Sequence, residues 1–206
     1  MIGNDIISFA EVLPNHQALR PGFRDKVCLT EELHPLTTIF SEEISIWMLW
    51  AAKESAYKVY RQAGGPAIFA PKRNLFQANS LTKSQVTGIT KTPKGNYPTC
   101  IRVQADYIIA ESWSVDRNDY RLLRQVVPLA GKQYQEQSSG LKRAILGWVA
   151  KAHGIPTESV TLHKDQAGVP YLNYQDRRME LSISLSHHGY YGLCSILAHK
   201  NSPFLG

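Results

Sequence analysis

The chain has 206 residues, of which 43% are apolar and 19% charged, with a formal net charge of +6 at neutral pH. This is the composition of a folded protein with one large domain or two small lobes, and it excludes a disordered chain. No apolar run is long enough to span a bilayer, and Met-Ile-Gly-Asn-Asp at the N-terminus has neither a basic leader nor an apolar signal core, so a cytoplasmic location is expected. Cys28, Cys100 and Cys194 are odd in number, widely spaced and without metal-ligand spacing, which points to reduced, buried thiols.

The positive charge is concentrated. From Ser55 to Ala105 there is no Asp or Glu, while Lys58, Arg61, Lys72, Arg73 and other cations fall in that span. Such a stretch suits an anionic partner: a nucleotide-like cofactor, an acidic protein or nucleic acid. Nucleic acid is the least favoured of the three, because no zinc-finger, helix-turn-helix or RNA-binding aromatic signature is present.

In chain order, Ile2 to Phe9 reads as a strand with Asp5 in its middle, a residue that must face solvent there or have a task. Pro14 to Pro21 is a loop. Thr30 is placed to cap a helical turn beginning Thr-Glu-Glu-Leu, and Ser41 to cap a longer helix that runs until Gly64-Gly65-Pro66. On that helix Trp47, Met48, Ala51 and Ser55 form an apolar or small-residue stripe, and Trp50, Glu54, Tyr57, Lys58 and Arg61 gather on another side. Glu54 and Lys58 stand one turn apart, a spacing that a solvated ion pair explains as readily as a functional site.

From Ala70 short β-prone runs follow: Ser84 to Thr90, a turn at Thr92 to Asn96, then Thr99 to Ser112. Asn118 to Val127 reads as helical, Gln133 to Gly140 as a polar connection, and Leu141 to His153 as a helix stopped by Gly154 and Pro156. Strands are expected at Val160 to His163, Leu181 to Ser186 and Tyr190 to Ala198, with a turn at Lys164 to Pro170. The pattern of a helix followed by antiparallel strands thus occurs twice.

Three features stand together: Gly3-Asn4-Asp5 on the first strand, Trp50-Ala-Ala-Lys53-Glu54-Ser-Ala-Tyr-Lys58 on the long helix, and Ser184-Leu185-Ser186-His187 near the end. This set resembles the 4'-phosphopantetheinyl transferase superfamily, with its Gly-x-Asp strand, Trp-x-x-Lys-Glu-x-x-x-Lys helix and Ser-x-Ser-His strand. Cys28 to Glu32 is similar to the segment that precedes the signature helix in the holo-acyl-carrier-protein synthase branch. Gly168-Val169-Pro170 resembles the family's Gly-Lys-Pro turn, with valine where the family has lysine.

The resemblance implies an α+β fold of two similar lobes, each a long helix on a small antiparallel sheet, in a pseudo-dimer with the active site at the seam. The lobes are expected at residues 1–112 and 113–206, in the reverse of the order found in larger relatives. A single synthase-like unit with a long insertion is the competing architecture; the two-lobed form would be a monomer and the synthase-like form a trimer.

The implied reaction moves the phosphopantetheine arm of coenzyme A to a serine of an acyl or peptidyl carrier protein. Asp5 and Glu54 would be the Mg²⁺ ligands, and Lys58 would neutralise phosphate. Proton removal is left to Glu54 or a metal-bound water. Ser186 and His187 would grip the 3'-phosphate of coenzyme A, with Lys53 in a lesser pyrophosphate or positioning role. Because Val169 replaces the family lysine, another 3'-phosphate contact is needed, for which Lys142, Arg143, Arg177 and Arg178 are available. Larger relatives carry a further acid where this chain has Ile7. A non-catalytic relative that binds coenzyme A or a carrier protein is the alternative. A metal-dependent phosphohydrolase would use the same two carboxylates but lacks further ligands for a two-metal site.

Overall fold

The computed structural model describes residues 1–20, 22–114 and 119–202. Strand β1 (Ile2–Ser8) leads through three short helices, α1 (Phe9–Val12), α2 (Phe23–Val27) and α3 (Thr30–Thr37), to the long helix α4 (Glu42–Gln62). Strands β2 (Leu75–Leu81), β3 (Gln85–Thr92), β4 (Gly95–Val103), β5 (Tyr107–Trp113) and β6 (Tyr120–Pro128) follow, then helix α5 (Tyr134–His153). The chain ends with β7 (Val160–Lys164), β8 (Pro170–Tyr174), β9 (Arg177–Arg178), β10 (Ser182–His188) and β11 (Tyr191–His199).

The strands form three antiparallel sheets, ordered β1-β5-β4-β3-β2, β10-β11-β6 and β7-β8-β9. The fold is therefore α+β. Among the described residues no helix is long and apolar enough to cross a membrane.

Helix α4 forms where its sequence directs. Ser41 in extended backbone accepts a hydrogen bond from the Ile44 N–H, and Glu42 and Glu43 lie at the positive helix end. The stripe of Trp47, Met48, Ala51 and Ser55 is buried, and the side bearing Trp50, Glu54, Tyr57, Lys58 and Arg61 is half-buried. The buried stripe enters the first core with Ile7, Leu33, Leu36, Phe76, Val86, Ile101 and Ile108, where each fully buried aliphatic side chain contributes roughly 1.5–3 kcal/mol. The second core joins Leu141, Ile145 and Val149 of α5 to Val160, Leu172, Ile183 and Ile196 of the other two sheets.

Several segments differ from expectation. The stretch read as helical through Val127 is strand β6 from Tyr120 onward; Asn118 lies outside the described residues. Its Arg-Leu-Leu-Arg-Gln-Val-Val spacing is compatible with a helix, and tertiary pairing to β11 decides against it. Gln133 to Gly140 is the start of α5 rather than a connection: Gln137 is buried and its Nε2 donates to the Gly189 carbonyl at 2.7 Å. The run Thr99 to Ser112 divides into β4 and β5, and β2 was not anticipated. The residue before α3 in cap position is Leu29, not Thr30, and its N–H is taken by the Glu32 carboxylate at 2.9 Å.

The first and second sheets meet along the free edge of β1, and side chains rather than a backbone ladder close that edge. The N–H groups of Ile2, Asn4 and Ser8 donate to Ser182 Oγ, Ser184 Oγ and His188 Nδ1 of β10. The carbonyls of Ile2 and Asn4 accept from Gln62 Nε2 and Lys58 Nζ of α4. Buried backbone groups need partners, and here the alternate residues of one strand supply them to another.

Candidate active site

Asp5 reaches the site because β1 passes under α4 at Gly3. A Cβ on Gly3 would lie 1.9 Å from the Ser55 carbonyl oxygen, so only glycine permits this approach of strand to helix. Asp5 is 8% exposed, and its Oδ2 has no hydrogen-bond partner among the described residues. Its Oδ1 stands 3.7 Å from Lys58 Nζ. Burial pushes the carboxyl up to about 7; Lys58 opposes the rise and Glu54 adds to it. Burial likewise raises Glu54, against the pull of Lys58. A buried and a half-buried acid thus share one lysine, and the nearby Glu54 makes Asp5 harder to ionise.

Lys58 links this pair to a cavity of about 510 Å³. The walls come from the end of α4 (Lys58, Arg61, Gln62), the start of α5 (Tyr134, Ser138, Leu141, Lys142), the β7–β8 hairpin (Leu162, His163, Lys164 and residues 167–170) and β10 (Ser184, Leu185, His187). None of these lining residues is an acid. Arg61 ties two walls together, donating to the Gly65 carbonyl and, at 2.6 Å, to the Ala167 carbonyl in the hairpin turn. An acid-free cavity with lysines and an arginine around an apolar floor suits a polyanion with an uncharged portion.

The residues anticipated from sequence are divided by the structure. Asp5, Glu54 and Lys58 come together, and His187 faces the cavity with its ring 5.4 Å from Tyr134. Burial, with Lys58, His188 and Lys164 nearby, lowers the His187 pKa. Ser186 does not line the cavity; it is buried with an Oγ that lacks a hydrogen-bond partner among the described residues.

Lys53 is not brought to the site. Its ammonium is fully buried, held by the Glu32 carboxylate and the Val27 carbonyl, each at 2.7 Å. Glu32 also accepts from the N–H groups of Leu29 and Phe76, so this pair pins α3, α4 and β2 together and is structural. Arg143 lines a separate depression with Leu129 and Glu136, whereas its neighbour Lys142 lines the cavity; one residue is a rotation of about 100° around a helix. Lys164 was missed because it sits in a hairpin that only folding brings opposite His187. Ile7 faces the first core. The three cysteines are buried, and burial pushes the Cys28 and Cys194 thiols up to about 11 and about 12, which makes those two inert.

Fold and site together define a class: an α+β protein with a strand carboxylate, a helix carboxylate and a lysine beside a cationic cavity. The family model described as 4'-phosphopantetheinyl transferase superfamily matches residues 1–120, which include Asp5, Glu54 and Lys58. The chain belongs to that superfamily. No curated protein and no solved structure gives a significant match.

Proposed function

We propose that the protein transfers the 4'-phosphopantetheine arm of coenzyme A to a serine hydroxyl of an acyl or peptidyl carrier protein, with Mg²⁺ bound by Asp5 and Glu54. The observation that carries this reading is the position of Lys58, which lies against Asp5 and also lines the acid-free cavity. The donor set fits Mg²⁺: two carboxylates, one with an orphaned oxygen, are what a hard cation typically takes from protein when phosphates and waters complete its shell. When bound, the ion supplies charge neutralisation at the pyrophosphate.

This chain's own residues do the rest. The serine oxygen bonds to the phosphorus bearing the pantetheine arm while the bond from that phosphorus to the bridging oxygen breaks, releasing adenosine 3',5'-bisphosphate. Glu54, one helical turn before Lys58, takes the serine proton. Lys58 holds phosphate oxygen as charge develops on the leaving group. Lys142 and Lys164, with His187, hold the remaining phosphate in place of the lysine that Val169 has displaced. The acid-free segment from Ser55 to Ala105 steers the acidic carrier toward α4. The site is assembled by one chain from segments on both sides of residue 113, which supports a two-lobed monomer.

The test is mass spectrometry of apo carrier proteins incubated with this protein, coenzyme A and Mg²⁺. Addition of the phosphopantetheine mass is expected, and its loss in Asp5→Ala and in Glu54→Gln. No addition to any of several folded carriers would overturn the reading, and coenzyme A binding without transfer would leave a non-catalytic relative.

A further inference from the structure

Asn4 is the middle residue of Gly3-Asn4-Asp5 and has no exposure at all. Its Nδ2 donates to the Ser184 carbonyl at 3.0 Å, the Leu193 carbonyl at 3.2 Å and Ser195 Oγ at 3.0 Å. Its Oδ1 accepts from Ser184 Oγ at 2.9 Å, and its own N–H donates to that same oxygen at 2.9 Å. The remaining group, the main-chain carbonyl, accepts from Lys58 Nζ at 2.6 Å. Every polar group of this residue is used, on two strands of the second sheet, β10 and β11, and on α4.

The network continues away from the site. Ser195 Oγ donates to Glu111 Oε1 at 2.8 Å, and Glu111 Oε2 accepts from Arg124 Nε at 2.7 Å and Arg102 at 3.2 Å. Ser195 therefore has its hydrogen committed to Glu111 and presents a lone pair to Asn4. This orients the Asn4 amide without ambiguity: the nitrogen faces Ser195 and the carbonyls, the oxygen faces Ser184. A satisfied buried polar network of this kind has few alternative arrangements.

We infer that Asn4 is a positioning residue: its side chain, locked to Ser184 and Ser195, fixes the peptide whose carbonyl anchors the Lys58 ammonium and whose next residue is Asp5. It sets the separation between the carboxylate pair on one side and the cavity wall of β10 on the other, although it touches neither phosphate nor metal. Asn4 fits this role where a serine or leucine would not, because only a carboxamide offers a donor and an acceptor at that reach. The inference rests on the reading of Asp5 and Lys58 given above.

The test has one arm that needs no activity. Proton–nitrogen NMR of the full chain detects lysine ammonium groups held in hydrogen bonds, with Lys58→Arg assigning the Lys58 signal and buried Lys53 serving as internal control. Asn4→Ala is expected to shift the Lys58 signal and shorten its exchange lifetime while Lys53 is unchanged; an unchanged Lys58 signal, or equal changes at both lysines, would overturn the proposal. If Asn4→Ala does not fold, Ser195→Ala, which removes a single partner of the amide, is expected to move Lys58 in the same direction, and its failure to do so overturns the proposal equally.

The second arm is kinetic. Asn4→Ala is expected to lower the transfer rate on the order of 10²-fold, and to cost markedly less in a Lys58→Ala background, where only its hold on Asp5 remains to be lost. Additive losses would mean that Asn4 does not act through Lys58. A wild-type chain that transfers nothing would overturn the proposed function while the ammonium signals still decide this inference.

Discussion

Asp5 is costly where it sits. The unfolded chain ionises it near the ordinary 3.8 and the folded chain near 7. Between those values the unfolded state binds fewer protons, so stability falls as pH rises, and the full cost is present above about 7. The difference corresponds to roughly 4 kcal/mol. Asp5→Asn is therefore expected to be more stable than the wild type at pH 8, and the two to converge near pH 4, in thermal unfolding followed across pH. Adding Mg²⁺ at pH 8 is expected to raise the melting temperature of the wild type and not that of Asp5→Asn. Equal responses would reject Asp5 as a ligand. A group kept at such expense in a buried strand is characteristic of a functional site.

The meeting of β1 and α4 is the element-scale counterpart. A methyl group at position 3 would strike the Ser55 carbonyl oxygen at 1.9 Å and the Lys58 Cβ at 2.9 Å. Backbone cannot yield as a side-chain tip can, so Gly3→Ala is expected to cost about 2–3 kcal/mol in urea denaturation and to reduce transfer by displacing Lys58. Unchanged stability would show that the strand and helix have slack between them.

How much of this was legible depended on sequence distance. Helix α4 announced itself through Ser41, its buried stripe and the Glu54–Lys58 spacing, all local signals. Asp5 could be singled out because an acid in a strand is anomalous. Asn4 could not, since the partners of its side chain lie 180 and more positions away and an isolated asparagine has no periodic signature. Lys53 was misjudged for a related reason: its task is set by Glu32, and nothing in the motif Lys-Glu says that the lysine turns inward. Strand β6 read as helix because apolar spacing in an edge strand with basic residues is ambiguous until its partner is known.

At the scale of the whole molecule, Glu111 joins the sheets. It lies on β5, is fully buried, and binds Arg102 of the same sheet together with Arg124 and Ser195 of the neighbouring one. Glu111→Gln leaves two arginines short of their counter-charge, but both retain solvent access, so a loss of about 3 kcal/mol is expected, at the low end for a broken buried pair. Calorimetry is expected to show a single transition for the wild type and a broadened or divided one for Glu111→Gln, because each side has its own core. A single sharp transition in the variant would show that the seam is held by other contacts.

The side-chain closure of β1 also governs how the chain behaves in company. A strand edge with free N–H and C=O groups is a template for pairing with any other chain, and here serines, a histidine, a lysine and a glutamine occupy that template from within the same molecule. Residues 1–112 expressed alone would carry Lys58 and Gln62 but lose Ser182, Ser184 and His188, leaving the N–H groups of Ile2, Asn4 and Ser8 exposed. That fragment is expected to self-associate in size-exclusion chromatography while the full chain elutes as a monomer. A monomeric fragment would show that the C-terminal strands are not what keeps β1 from pairing with a second chain.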